Sequence, residues 1–378
     1  MDYKRMPIEI ESPEQLGYSA IKYNLTESSI SDTLFNNIQL NINDLKLCYG
    51  DHLGKPELRE LIACEFANLT KENVLITAGA ASALFIVATS LLEKEGHLIV
   101  IRPNYASNIE TPRAIGCEID YIDLKFENQF AVSLDEIKTK IKSNTKLISI
   151  THPHNPTGMV IPKDTMMKLA ELCEKNNCFL LVDETYRELN LKDIYPLGAS
   201  LHKRIISVSS VSKAYGLPGI RIGWLITQNT VLFEKFLAAK EQIFLCNSVI
   251  DEEVAYQYLL KKDLYFKQIK DHILKNYQTV LDWISAEKRM EMIEPKGGVV
   301  CFPRIKNKAN DARKFYATLN KKYQTYVGPG HWFEMPENYM RIGFGWPTNE
   351  ELTQGLKNIS LCLDELQNID IRFEKPTD

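Results

Sequence analysis

The sequence predicts an α/β fold: a large domain with a mostly parallel sheet flanked by helices, plus a smaller α+β domain built from both termini. Three observations predict it. Short, almost wholly apolar runs recur through the middle of the chain, as strands covered on both faces require. Stretches of helical periodicity separate these runs, and such alternation is the signature of a parallel sheet. A chain of 378 residues can also bury more than one core.

In chain order the expected strands are Asn73–Thr77, Leu98–Ile101, Leu147–Thr151, Phe179–Asp183, Ile205–Ser209 and Gly223–Thr227. The helical stretches between them include Ala80–Leu92, Leu134–Lys142 and Lys163–Asn176. The large domain is expected over residues 45–280. Asp251–Glu287 reads as one long amphipathic helix linking the domains. Met292–Asp378 reads as short strands followed by a last helix, Asn349–Leu366. Residues 1–44 have weak periodicity and are expected to join residues 281–378 in the small domain.

Composition narrows the classes of function. A hydrophobic content of 44% and a charged content of 25% describe an ordinary globular protein. The net charge of −4 gives no support for nucleic-acid binding. No apolar run is long enough to cross a bilayer, and Met1–Pro7 lacks the apolar core of a signal peptide. The eight cysteines form no CxxC pair, which suggests neither a zinc site nor a redox dithiol. Reduced, mostly buried thiols in a cytoplasm are the expected state.

Lys213 carries the sharpest chemical signal. It stands in Ser209-Ser210-Val211-Ser212-Lys213-Ala214-Tyr215-Gly216-Leu217-Pro218-Gly219-Ile220-Arg221-Ile222-Gly223-Trp224. The hydroxyl of Ser210 and the guanidinium of Arg221 suit an anion, above all a phosphate. A primary amine beside a phosphate site is what a pyridoxal phosphate Schiff base requires.

Other candidates cluster at the carboxyl ends of predicted strands, where ligands of such sheets bind. Asp183 ends the run Phe179-Leu180-Leu181-Val182. A carboxylate there is costly without a cation or donor. It reads either as the partner of a protonated pyridine nitrogen or as a helix cap or structural salt bridge. The turn His152-Pro153-His154-Asn155-Pro156-Thr157-Gly158 follows another strand. Asn155 can aim its amide at a ring oxygen, or the turn can be plain chain reversal. His152 and His154 lack an apparent third ligand, so they read as turn residues and no metal is expected. Thr77-Ala78-Gly79-Ala80-Ala81-Ser82 joins a strand to an alanine-rich helix. Open backbone N–H groups at such a helix start suit a phosphate, though close packing explains small residues equally well.

Together these segments resemble the fold-type I pyridoxal-phosphate-dependent aminotransferases of class I/II. The resemblance runs from Tyr49-Gly50 to Arg341 and rests on the glycine–helix turn, HNPTG, DExY and SxSKxYGxPGxRxGW in that order. It implies that Lys213 holds pyridoxal 5'-phosphate as a Schiff base and shuttles a proton, and that Asp183 pairs with the pyridine nitrogen. Asn155 and Tyr186 would hydrogen-bond the phenolic oxygen, and Tyr105 would stack on the ring. Ala80 and Ala81 by backbone, with Ser210 and Arg221 by side chain, would hold the phosphate. Tyr49 would reach the phosphate of a neighbouring subunit, which implies a homodimer with shared sites. Arg341 would grip the substrate α-carboxylate, with Asn155 also facing the substrate. Ala81 departs from the commoner pattern of a polar side chain at that position, and Ser82 is the alternative donor.

The resemblance implies an aminotransferase that moves an amino group between an L-amino acid and a 2-oxo acid by a ping-pong mechanism. The runner-up is a lyase or cyclase using the same first proton abstraction. A non-catalytic binding protein on this fold is disfavoured, since Lys213, Asp183, Asn155, Tyr186 and Arg341 are all present. The donor is open. By resemblance the segment Leu25–Ser29 lines the side-chain pocket. There Glu27 reads either as favouring a cationic or hydroxylated side chain or as a solvated loop carboxylate. Trp332 and Phe333 read as pocket lining or core, and His331 as an exposed loop histidine.

Overall fold

The structure is a computed structural model that describes residues 1–38, 40–190, 195–306 and 312–373. It divides into two compact units. One comprises Met1–Lys4, Asp32–Lys267 and Lys296–Gly298, and the other Arg5–Ser31, Gln268–Pro295 and Val299–Asp378. Residues 32–44 thus lie with the large unit, whereas the sequence assigned them to the small one.

The large unit is organised by a seven-stranded sheet. Its strands are β1 (Val74–Thr77), β2 (His97–Arg102), β3 (Glu118–Asp123), β4 (Thr145–Thr151), β5 (Phe179–Asp183), β6 (Ile205–Ser210) and β7 (Gly223–Ile226). Their spatial order is β1-β7-β6-β5-β4-β2-β3. Strands β2 to β6 pair in parallel, and β7 runs antiparallel to both neighbours. The parallel part follows from the apolar runs: Leu180, Val182, Ile205, Ile206 and Val208 are fully buried, covered on both faces.

Strand β3 escaped the sequence reading. Its residues, EIDYID, alternate polar with apolar and are only partly buried. That pattern marks an edge strand, not an apolar run. The expected single helix over Asp251–Glu287 is also corrected. It is two helices, Val249–Leu259 and Lys262–Ala286. Ser248 starts the first by accepting the Asp251 backbone N–H at 3.4 Å, an N-cap lying just before the expected start.

Helix α1 (Gly79–Leu91) leaves the end of β1, and helix α2 (Ser107–Ile115) leaves the turn after β2. Ala83, Leu84, Ile86 and Val87 of α1 pack into the core with Val100 of β2 and Ile206 and Val208 of β6. Gly223, opening β7, is set by close approach. A Cβ there would lie 2.5 Å from the Gly79 carbonyl carbon and 2.7 Å from the Ala80 nitrogen. Only glycine lets β7 run against the turn that starts α1.

The turn after β4 is built on its two histidines. His154 Nε2 lies 2.9 Å from the Pro103 carbonyl oxygen, so this nitrogen carries the hydrogen and donates. Its Nδ1 then accepts from the Thr157 hydroxyl at 2.7 Å. His152 Nδ1 accepts the Ile161 backbone N–H at 3.0 Å. Burial pushes both imidazoles down to about 4.

The small unit contains a three-stranded antiparallel sheet with β10 (Met340–Gly343) between β8 (Val300–Cys301) and β9 (Gly328–Pro329). The strand Tyr23–Asn24 pairs in parallel with Thr325–Tyr326, and the last helix covers Asn349–Phe373.

Two consequences are measurable. Gly223→Ala inserts a methyl into backbone contact and should destabilise by roughly 2–3 kcal/mol. Denaturant unfolding checks this, and an unchanged midpoint would refute the packing argument. A histidine whose folded pKa is depressed leaves the unfolded state binding more protons between pH 4 and pH 6.5. Its contribution to stability is therefore whole above pH 6.5 and falls as pH drops towards 4. Buried Glu184 and Glu252, raised to about 7, work in the opposite sense over an overlapping window. The effect is therefore read as a difference. His154→Gln should lose about 2–3 kcal/mol less stability than wild type between pH 7 and pH 4.5.

Candidate functional site

Strands β4, β5 and β6 are adjacent and parallel, with Thr151 opposite Asp183 and Asp183 opposite Val208. Five predicted residues therefore lie at or just past the carboxyl ends of three neighbouring strands. Asn155 leaves β4, Asp183 and Tyr186 end and follow β5, and Ser210 and Lys213 end and follow β6. Asn155, Asp183, Tyr186 and Ser210 are buried, and Lys213 is partly buried.

The Asp183 carboxylate is held on both oxygens. Oδ1 accepts from the Thr185 hydroxyl at 2.6 Å and its backbone N–H at 3.2 Å. Oδ2 accepts from Asn108 Nδ2 at 3.4 Å. Burial nonetheless outweighs these bonds and pushes the Asp183 pKa up. Its ionised form thus still calls for a cation, such as a protonated ring nitrogen.

Asn108 belongs to a polar chain that sequence reasoning missed. Its Oδ1 accepts from Ser149 at 3.4 Å, and its Nδ2 reaches Asn104 Oδ1 at 3.4 Å. Asn104 Oδ1 also accepts from Thr151 at 2.7 Å and from the Tyr105 backbone N–H at 2.8 Å. The chain fixes the start of the Tyr105 turn against β4 and β5. Its signal was the polar run after β2, where only Tyr105 had drawn notice.

Arg221 and the start of α1, far apart in sequence, meet in space. A Cβ on Gly79 would stand 2.6 Å from Arg221 Nη2, so the guanidinium covers that face of the glycine. Arg221 takes a left-handed φ of 50°, a strained state for a non-glycine residue. Its Nη1 donates to the Pro218 carbonyl at 2.8 Å and to the Ser212 hydroxyl at 3.4 Å. Ser210 Oγ accepts the Ser212 backbone N–H at 3.3 Å. A cation and the positive end of a 13-residue helix are thus brought face to face, which an anion between them would stabilise. The Ser82 hydroxyl, in the first turn of α1, is buried without a protein hydrogen-bond partner. Ala80 and Ala81 lie in the same turn. These groups have the chemistry a phosphate needs, and Lys213 supplies the amine.

Tyr49 is different: its side chain is 83% exposed. In the small unit, Arg341 on β10 is buried, and its Nη2 donates to the Thr26 carbonyl at 2.7 Å. The guanidinium lies 5.0 Å from the Phe333 ring centre. Phe333 and Trp332 are core residues. His331, expected as an exposed loop histidine, is instead paired with Glu11 at 2.8 Å, and Trp332 Nε1 donates to the same carboxylate oxygen at 2.7 Å. Among the described residues no group of side chains is arranged to hold a metal ion.

The model of the family "Aminotransferase class I and II" matches residues 21–359. Aspartate aminotransferase of Pyrococcus horikoshii is 28% identical over 329 residues, covering 84% of this chain and 83% of that protein. Capreomycidine synthase of Streptomyces vinaceus is 29% identical over 314 residues, covering 82% of this chain and 79% of that protein. The crystal structure of a PLP-dependent aminotransferase from Streptococcus suis superposes with a TM-score of 0.89 at 26% identity, covering 100% of both chains. The glycine-started helix, the buried carboxylate on β5 and the lysine after β6 thus lie within the matched region, and the chain belongs to the class I and II aminotransferase family, as an aminotransferase that depends on pyridoxal phosphate.

Proposed function

We propose that this chain transfers an amino group between an L-amino acid and a 2-oxo acid in ping-pong order, with Lys213 as the covalent anchor of the cofactor and as the proton shuttle. The observation that carries the reading is Asp183: a buried, doubly held carboxylate with a raised pKa, one strand away from the lysine loop.

When bound, pyridoxal phosphate supplies an aldehyde for amines and a ring that takes up the electrons released at the substrate Cα. The chain's residues do the rest. Arg221, Ser210 and the backbone N–H groups of Ala80 and Ala81 hold the phosphate, with Ser82 adding a hydroxyl. Asp183, oriented by Thr185 and Asn108, stays ionised against the protonated ring nitrogen and so favours electron uptake. Asn155 and Tyr186 hydrogen-bond the phenolic oxygen, and Tyr105 stacks on the ring. Arg341 clamps the substrate α-carboxylate, and Asn155 also contacts the substrate. With pyridoxal phosphate bound, the Lys213 amine would be the group that takes up the proton lost from the substrate Cα and returns it to the cofactor carbon.

Tyr49 serves the phosphate of a second subunit, so the working form is a homodimer. The exposure of Leu34, Phe35, Leu47 and Tyr49, from 60% to 83%, supports a face that pairs with another protein surface. A cytoplasmic setting is supported by the eight free cysteines.

The synthase relative, about as similar as the aspartate aminotransferase, favours a second reading: a lyase or cyclase that shares the Cα proton abstraction. Single-turnover incubation with a donor and no acceptor separates the two. Transamination yields one equivalent of 2-oxo acid with loss of the aldehyde absorbance, whereas elimination or cyclisation retains that absorbance. Lys213→Ala should lower the rate by about 10³-fold or more, and full turnover would sink its role. Arg341→Ala should raise the KM for the donor by roughly 10–100-fold, through loss of charge-assisted bonds to the carboxylate. An unchanged KM would remove Arg341 from the site.

A further inference from the structure

Glu27 is the only charged residue of the segment Leu25–Ser29. The rest of that segment is packed away: Leu25, Thr26, Ser28 and Ser29 are all buried. Its backbone is fixed to β10. Leu25 O accepts the Gly343 N–H at 2.8 Å, Thr26 O accepts from Arg341 Nη2 at 2.7 Å, and a Cβ at Gly343 would collide with Glu27 O at 1.7 Å. Glu27, half-buried, emerges from this packing one residue from the carbonyl that Arg341 grips.

Two aromatic rings accompany it. The Tyr18 hydroxyl donates to Glu27 Oε1 at 3.3 Å. The Tyr18 ring stacks on Trp346, with centres 6.4 Å apart and planes 17° from parallel. The Trp346 backbone is held in turn, its carbonyl accepting from the Ser31 hydroxyl at 2.9 Å. Among the described residues no lysine, arginine or histidine forms an ion pair with Glu27. A carboxylate and aromatic faces favour the same ligand chemistry. The carboxylate attracts positive charge, and the rings attract a cation through their quadrupoles. A hydroxylated side chain would use the carboxylate alone. A planar guanidinium uses both, by a two-pronged bond to the carboxylate and by stacking.

We propose that Tyr18, Glu27 and Trp346 form the side-chain subsite for the donor amino acid and select a cationic side chain, a guanidinium above all. This rests on Arg341 being the α-carboxylate clamp. It turns the half-buried carboxylate into the specificity-determining residue, with the aromatic pair as its platform.

The test compares L-arginine with L-citrulline, its neutral near-isostere, on the holoenzyme. Loss of the aldehyde absorbance gives kcat/KM, and calorimetry gives the binding constant of each. The wild type should prefer arginine by about 10–100-fold, the range of one charge-assisted bond. Glu27→Gln should bring the ratio close to one with an unchanged unfolding midpoint. Trp346→Leu should lower arginine affinity more than citrulline affinity. Equal use of both amino acids by the wild type, or a ratio that survives Glu27→Gln, would overturn the proposal. The reading beneath it fails separately: if Arg341→Ala leaves the KM of every donor unchanged, the clamp is wrong. If arginine binds in preference to citrulline without transamination, the subsite stands and the reaction class is what falls.

Discussion

A guanidinium and the amino end of a helix repel each other, yet Arg221 and the first turn of α1 are held together by the fold. Gly79 leaves the room, Gly223 lets β7 approach, and β7 pairs with both β1 and β6. Negative charge between the two would relieve that repulsion. The chain therefore holds a strained Arg221 backbone and a concentrated positive field that suit an anion.

Asp183 is the complement of this field. It is a carboxylate under burial, kept in one orientation by Thr185 and Asn108 and open to a cation. A cationic corner that suits an anion, a buried carboxylate that suits a cation, and the Lys213 amine in the loop after β6, the strand between β5 and β7, together suit a ligand carrying both charges. The polar chain Ser149–Asn108–Asn104–Thr151 ties α2 and the Tyr105 turn to the same strands. His154 adds a further tie by joining the Asn155 turn to Pro103. These hydrogen bonds brace the carboxyl end of the sheet.

Much of this was legible in the sequence because the physics is local. The runs Phe179–Asp183 and Ile205–Ser210 are apolar since both faces are covered, so they announced themselves as inner strands. Lys213, Asp183, Asn155 and Arg221 stand in short segments whose glycines, prolines and serines have few other uses. What was not legible depends on partners distant in sequence. Strand β3 is polar because it lies at an edge, and its composition resembles a loop. Asn104 and Asn108 look like any turn asparagines until β4 and β5 are placed beside them. His331 looked like a loop residue because Glu11, its partner, is 320 positions away. The break after Leu259 leaves helical periodicity intact on both sides, so composition alone read one helix where two exist. Tyr18 and Trp346, more than 300 residues apart, give Glu27 a setting that its own segment does not reveal.

The covalent role of the Lys213 amine is the property most open to direct measurement. Borohydride reduction of the holoenzyme, followed by proteolysis and peptide mapping by mass spectrometry, should place the pyridoxyl label on Lys213 alone, in the peptide running from β6 towards Arg221. Label on a different lysine, with Lys213 recovered unmodified, would contradict it.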